Sequence, residues 1–287
     1  MKKSVAGLCI SMAIFGTVGL FKRFIPVSAG ELALYRAILA VAVLGFYLLL
    51  TKNPISLKRI KKSLPLLLLS GAAMGFNWIL LFRAYEYTTV SIATLSYYFA
   101  PVLVTAACPL LFREKLTPWQ ILCFILSTVG LVLITGLDGG SGKAHLTGIA
   151  FGLGAAVLYA SVVLTNKFIK DVGGIHRTFL QFLAAAVVLV PYVAFTGGAD
   201  FSMMDSRGWV FLLILGIVHT GITYCIYFSS VANLPGHKVA IFSYIDPLIA
   251  VLCSVFILQE PMNPMQWVGG VLILGATLFS ELSGRKK

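Results

Sequence analysis

Stretches of about 18 to 25 apolar residues recur along the whole chain, each closed by a short break that carries charge, proline or glycine. This rhythm constrains the fold more than any other feature. A helix needs about 20 apolar residues to cross the hydrocarbon of a bilayer, and only helices and closed barrels satisfy their backbone hydrogen bonds there. The spacing predicts ten spanning helices, at 4–21, 29–50, 64–85, 89–112, 118–136, 146–166, 175–196, 208–230, 235–258 and 264–283. Composition agrees: of 287 residues, 59% are hydrophobic and 11% charged, and the mean hydropathy is +0.95. The expected fold class is an all-α membrane protein, with no break long enough to fold alone.

The first residues, Met1-Lys2-Lys3 with an apolar run and then Val27-Ser28-Ala29, have the outline of a cleavable leader. The run from Ser4 to Phe21 is nevertheless long enough to span, and Lys22-Arg23 separate it from the small residues. A first spanning helix is therefore expected. Cys9, Cys108, Cys123, Cys225 and Cys253 are scattered through apolar stretches with no paired spacing, and read as small hydrophobes rather than metal ligands or disulfide partners.

Basic residues outnumber acidic ones by 22 to 10. In a soluble chain that excess would suggest a nucleic-acid partner; in short loops between spans it reports orientation. Counted over alternate breaks, sixteen lysines and arginines fall on one side and five on the other, with Arg36 inside a span. Both termini are expected on the cytoplasmic side of the cytoplasmic membrane. Membrane lipid is the expected surrounding, nucleic acid is not an expected partner, and a monomer or homodimer is equally compatible with the pattern.

Sliding the chain against itself by 146 residues aligns Tyr98-Phe99-Ala100-Pro101 with Tyr244-Ile245-Asp246-Pro247, Glu114 with Glu260, Pro118 with Pro264, and Gln120 with Gln266. Apolar helices share leucines readily, but not this polar series in one register. The chain reads as two five-helix halves, 1–140 and 141–287. An odd number of crossings inserts the halves in opposite orientations, a plan used by carriers that alternate access to a midplane site. Glu114 is then expected at the cytoplasmic face and Glu260 outside.

The pattern Ser96-Tyr97-Tyr98-Phe99-Ala100-Pro101, then Phe112-Arg113-Glu114-Lys115-Leu116-Thr117 and Gly130, returns as Ser243-Tyr244-Ile245-Asp246-Pro247, Gln259-Glu260 and Gly275. It resembles the EamA branch of the drug/metabolite transporter superfamily over essentially the whole chain. The resemblance implies a ten-helix secondary carrier; many members export amino acids and related metabolites, and some relatives import. Two positions depart from the repeat: Cys123 faces Gly269, and Ala100 faces Asp246.

An ionisable side chain deep in a bilayer is costly, so it faces a cavity or a partner. Arg36 and Asp246 are the deepest, each about 10 Å from a helix end at about 1.5 Å per residue. Two arrangements are open: they hold the carboxylate and ammonium of a zwitterion, or they pair with each other. Glu31 lies nearer the outer surface, as a gate or proton site or a solvated helix end. His219, Thr223, Tyr227 and Ser230 form a polar stripe that should point inward, with His219 either a proton carrier or an interhelical hydrogen-bonding group.

Asn77, Trp78, Tyr97, Tyr98, Tyr159, Tyr224 and Tyr244 add rings with polar tips suited to an amphipathic solute, or to packing between helices. Pro101 and Pro247 free backbone carbonyls at matched positions and are expected to bend their helices. Gly71 with Gly75, and Gly148 with Gly152, are expected to mark close helix contacts. Asp246 joins His219 and Glu31 as a possible proton-coupling group.

No phosphate-cradling glycine loop is present to use ATP, and no acid, histidine or nucleophile cluster stands at catalytic spacing. The expected function is secondary transport of a small polar or amphipathic metabolite, with amino-acid export favoured and protons as one coupling ion. The alternative is import of an organic cation such as a quaternary amine; a membrane-embedded enzyme or a channel fits less well. No cofactor or metal is expected.

Overall fold

The computed structural model describes residues 2–52, 57–112, 116–135, 142–169, 172–198, 200 and 202–283. Glu114 and the division of the halves at 140/141 lie outside the described residues. The described chain is helical: α1 (Lys2–Gly16), α2 (Val18–Lys22), α3 (Ala29–Leu50), α4 (Leu57–Tyr87), α5 (Val90–Tyr97), α6 (Ala100–Phe112), α7 (Pro118–Thr135), α8 (Lys143–Phe168) and α9 (Gly174–Phe195). Then follow α10 (Ser206–Leu213), a π segment (Ile214–Ile222), α11 (Thr223–Val231), α12 (Gly236–Ser243), α13 (Ile245–Leu252), a second π segment (Cys253–Ile257) and α14 (Pro264–Ser283).

Among the described residues, eight helical stretches are long and apolar enough to cross a membrane, and two apolar helices, Ile241–Ile257 and Pro264–Ser280, are shorter. Several spans are broken, and the breaks have physical causes. α1 and α2 meet at Thr17, whose hydroxyl bonds back to the Ile14 carbonyl at 2.7 Å. α5 stops at Tyr98 and α12 at Tyr244, the two positions paired by the 146-residue shift. Pro101 and Pro247 then stand in the first turns of α6 and α13, where a missing N–H costs no helical bond. The bend therefore falls a few residues before each proline.

The π segment Ile214–Ile222 is stabilised by its own polar side chains. Thr220 donates to the Leu215 carbonyl at 3.0 Å and Thr223 to the Val218 carbonyl at 2.7 Å, each five residues back, matching the wider turn. Elsewhere the helix starts are capped: Ser28 and Glu31 form a reciprocal capping box on α3, Thr89 caps α5, and Asp205 caps α10.

The main core lies between α3, α4 and α9, where Ala37, Ala40, Leu44, Phe82, Phe182 and Leu189 are fully enclosed. Small residues set the distances between helices. α7 crosses α14 at Gly130 and Gly269, where a Cβ on either would stand 2.6 Å from the other's carbonyl oxygen. Gly71 presses in the same way on Gln181 of α9, and Gly148 and Gly152 on Thr88 and Ser96, as the small-residue pairs lead one to expect. Large apolar side chains such as Phe46, Leu110, Val187 and Phe256 stay exposed around the outside, the surface a lipid-facing bundle requires.

Candidate functional site

A cavity of about 800 Å³ runs through the bundle. At one limit it stops at Tyr85 and Thr94; at the other it reaches Gln120, Lys167, Gly174 and Ser280. Between these limits it is walled by rings, with Arg36 and Asp246 as its deep charges.

Arg36 projects from α3 and is only 5% exposed. Its Nε donates to the Thr220 hydroxyl at 2.7 Å, and its guanidinium carbon sits 4.4 Å from the centre of the Trp78 ring. The Phe82 ring lies at 5.9 Å. Neither Nη nitrogen bonds to another described residue, so the open side of the guanidinium faces the cavity. Trp78 offers its negative ring face to the cation, an attraction that strengthens where water is excluded.

Asp246, in the first turn of α13, accepts a 2.6 Å hydrogen bond from the Tyr98 hydroxyl. It forms no ion pair with Arg36, although both line the same cavity. Direct pairing, one of the two arrangements open from the sequence, is not what the fold adopts. Gln181, which a shift of 145 residues aligns with Arg36, is spent on Ser70 at 2.7 Å and Asn166 at 2.8 Å. The two aligned residues thus differ in availability.

The aromatic residues form a connected wall. Tyr97 stands edge-on to Tyr98 at 5.8 Å and tilts against Tyr159 at 5.5 Å; Tyr224 meets Phe182 at 5.2 Å and Phe15 at 5.0 Å. Tyr244 and Asn77 also line the cavity, but the Asn77 amide is taken by the Ala155 carbonyl at 2.6 Å and clamps α4 to α8.

Three residues singled out from the sequence stand elsewhere. His219 and Thr223 point inward, 3% and 0% exposed, but do not reach the cavity wall, whereas Tyr227 of the same stripe does; the π segment interrupts the regular helical period there. His219 lies with Nε2 2.8 Å from the Thr17 hydroxyl and Nδ1 3.3 Å from the Ile214 carbonyl, joining the α1–α2 break to the π segment. Glu31 is neither solvated nor in the cavity. Its carboxylate is 5% exposed and accepts the Ser28 N–H at 2.9 Å and the Asp200 N–H at 2.7 Å, a capping task. Pro101 touches the cavity while Pro247 is buried beside it.

Sequence reasoning missed Thr220, which aims Arg36, and the contacts of Glu260 with Arg23, Val90 and Ser254. The repeat had marked Glu260 as special through its match with Glu114, without a role. Thr220 had no signal apart from its place beside His219.

A bundle of apolar helices around a solute-sized chamber with unpaired polar groups defines a polytopic membrane protein that handles a small molecule. The chain matches the sequence model of the EamA-like transporter family twice, over residues 2–136 and 146–282, and it belongs to that family. An uncharacterised transporter of Bacillus subtilis, YxxF, is 32% identical over 94% of this chain and 86% of its own length. The threonine/homoserine exporter RhtA of Escherichia coli is 24% identical over 98% of this chain and 92% of its own length. A crystal structure of a protein 16% identical in sequence superposes with a TM-score of 0.67, covering 100% of this chain and 99% of that one, which speaks to the fold. The chain is a membrane transporter, a multi-pass integral protein of the inner cell membrane.

Proposed function

We propose that this transporter is a secondary carrier of ten crossing helices in two inverted halves, 1–140 and 141–287, with both termini cytoplasmic. It moves a small metabolite with a carboxylate and an ammonium, an amino acid or close relative, outward by alternating access. The observation that carries this reading is the guanidinium of Arg36, buried yet, among the described residues, free at both Nη nitrogens, on a cavity whose described lining has Asp246 as its acid, bonded among the described residues to Tyr98 alone.

A charge near the bilayer centre costs about 2.5 to 3.5 kcal/mol on insertion scales, so its retention without a protein counter-ion argues for an anionic ligand. A carboxylate fits the planar fork through two parallel hydrogen bonds. Asp246 offers its remaining lone pairs to an ammonium, beside the Tyr97 and Tyr98 rings. The full-length similarity to a protein named as a threonine/homoserine exporter supports the amino-acid reading. The reach of the cavity to Gln120, Lys167 and Ser280 supports a cytoplasm-facing state.

The second reading, import of an organic cation, draws on the same rings around Asp246. Arg36 in the same cavity opposes it, since like charge in a shared low-dielectric space is repulsive. Protons are the proposed driving ion, with Asp246 as the cavity acid that exchanges them.

The test is flux in proteoliposomes. Concentrative flux of labelled amino acids should follow an imposed proton gradient, and Arg36→Lys and Asp246→Asn should each abolish it while leaving an inserted, monodisperse protein. Undiminished flux in both variants would remove the site from the account.

A further inference from the structure

Beyond Tyr85 and Thr94, where the cavity ends, one carboxylate ties three parts of the chain together. Glu260 lies in the turn between the π segment Cys253–Ile257 and α14. One of its oxygens is in ion-pair contact with the guanidinium of Arg23, just after α2. The other accepts the backbone N–H of Val90 at 2.7 Å and the hydroxyl of Ser254 at 2.5 Å.

The Ser254 hydroxyl, having given its proton to Glu260, accepts from the Ser91 N–H at 3.0 Å and stands 2.6 Å from the Ser91 hydroxyl. Val90 and Ser91 are the first residues of α5, so a negative charge is seated on the positive end of that helix. Gln259 carries the chain into this position with φ of 56°, in the left-handed region that non-glycine residues seldom occupy. Such a conformation persists where surrounding bonds enforce it, and here the Glu260 N–H bonds to the Ser254 carbonyl at 3.0 Å.

α5 is short and is bounded by a turn at Thr88–Thr89 and by the break at Tyr98. It carries Thr94 and Tyr97 on the cavity, and its broken end carries the Tyr98 hydroxyl to Asp246. A rigid piece between two bends moves as a unit, and Glu260 holds its first turn.

We propose that Glu260 is the latch that keeps the cavity closed at this end, and that opening requires its carboxylate to leave Arg23 and the first turn of α5 together. All of its bonds are polar and can be exchanged for water as the end opens. The inference rests on the alternating-access reading above.

A cysteine at Thr94 (Thr94→Cys) reports on it, read as the gain in labelling by a membrane-impermeant maleimide over the protein without that substitution. In oriented vesicles the cysteine should label from the cytoplasmic face and resist labelling from the Glu260 face. Glu260→Gln should raise the rate from the Glu260 face at least tenfold and lower it from the opposite face. Arg23→Gln, which keeps the carboxylate on α5, should give a smaller rise and serves if Glu260→Gln does not fold.

One-sided labelling unchanged by either substitution overturns the latch alone. Faster labelling from both faces in Glu260→Gln also overturns it, since that marks a loosened fold rather than a shifted gate. Equal access from both faces in the parent protein that neither substitution shifts toward one face overturns the alternating-access reading and the latch with it.

Discussion

Tyr98 donates a 2.6 Å hydrogen bond to Asp246, and each stands beside a break in its span, at positions two residues apart in the register of the internal repeat. The contact therefore joins two interrupted spans, at the α5–α6 break and the α12–α13 break. Charge-assisted bonds of this kind contribute about 1.5 to 3 kcal/mol. Tyr98→Phe should lower stability by an amount in that range. In a thermal double-mutant cycle with Asp246→Asn the coupling should be at least about 1 kcal/mol, whereas additive effects would mean that the bond is absent in solution.

Much of this arrangement was legible in the sequence. The third and fourteenth helices, Ala29–Leu50 and Pro264–Ser283, begin and end where the apolar spacing places them, and Arg36 and Asp246 stand out by the cost of burying charge. The breaks were harder to read. Pro101 and Pro247 announce an interruption nearby, but Thr17 breaks its span with no proline at all. His219 and Thr223 do point inward, 3% and 0% exposed, but they miss the cavity wall, where a period of 3.6 residues gives way to a π turn. Nothing local distinguishes such a turn; it follows from the side-chain bonds to carbonyls five residues back and from packing on α3. Glu31 reads as an exposed acid in the sequence because its donor partner, the Asp200 N–H, lies 169 residues away.

The stacking of Arg36 on Trp78 makes a graded prediction. A desolvated cation–π contact contributes about 2 kcal/mol, so Trp78→Leu should weaken substrate binding about thirtyfold. Trp78→Phe, which keeps an aromatic face, should weaken it less. Equal losses in the two variants, measured as apparent affinity in counterflow, would show that the ring matters only for its volume.

His219 is placed as an interhelical tie. The Thr17 hydroxyl gives its proton to the Ile14 carbonyl, so the ring donates through Nε2 to the Thr17 oxygen, while Nδ1 stands 3.3 Å from the Ile214 carbonyl; both ring nitrogens are engaged. His219→Gln should therefore transport within a few-fold of the parent, with the same dependence on pH, while His219→Ala should lose about 1 to 3 kcal/mol of stability. A pH profile flattened by the glutamine variant would instead assign the ring to proton movement.

The crossing of α7 and α14 predicts a contrast among glycines. Gly130→Ala and Gly269→Ala each drive a methyl against a backbone carbonyl, which cannot rotate away, and should cost about 1 to 3 kcal/mol in thermal unfolding. Gly275, on the same α14, has no atom within 4 Å of where a Cβ would stand. Gly275→Ala should be neutral or stabilise by up to about 1 kcal/mol through helix propensity. Similar losses at all three positions would contradict the close crossing.

The most direct measurement is equilibrium binding to purified protein of an amino acid and of its amide, which keeps the ammonium and lacks the carboxylate. The account predicts that Arg36 holds the carboxylate: the parent should prefer the acid by tenfold or more, and Arg36→Lys should lose most of that preference while unfolding at nearly the same temperature. Equal binding of acid and amide by the parent, or a preference that survives Arg36→Ala, would contradict it.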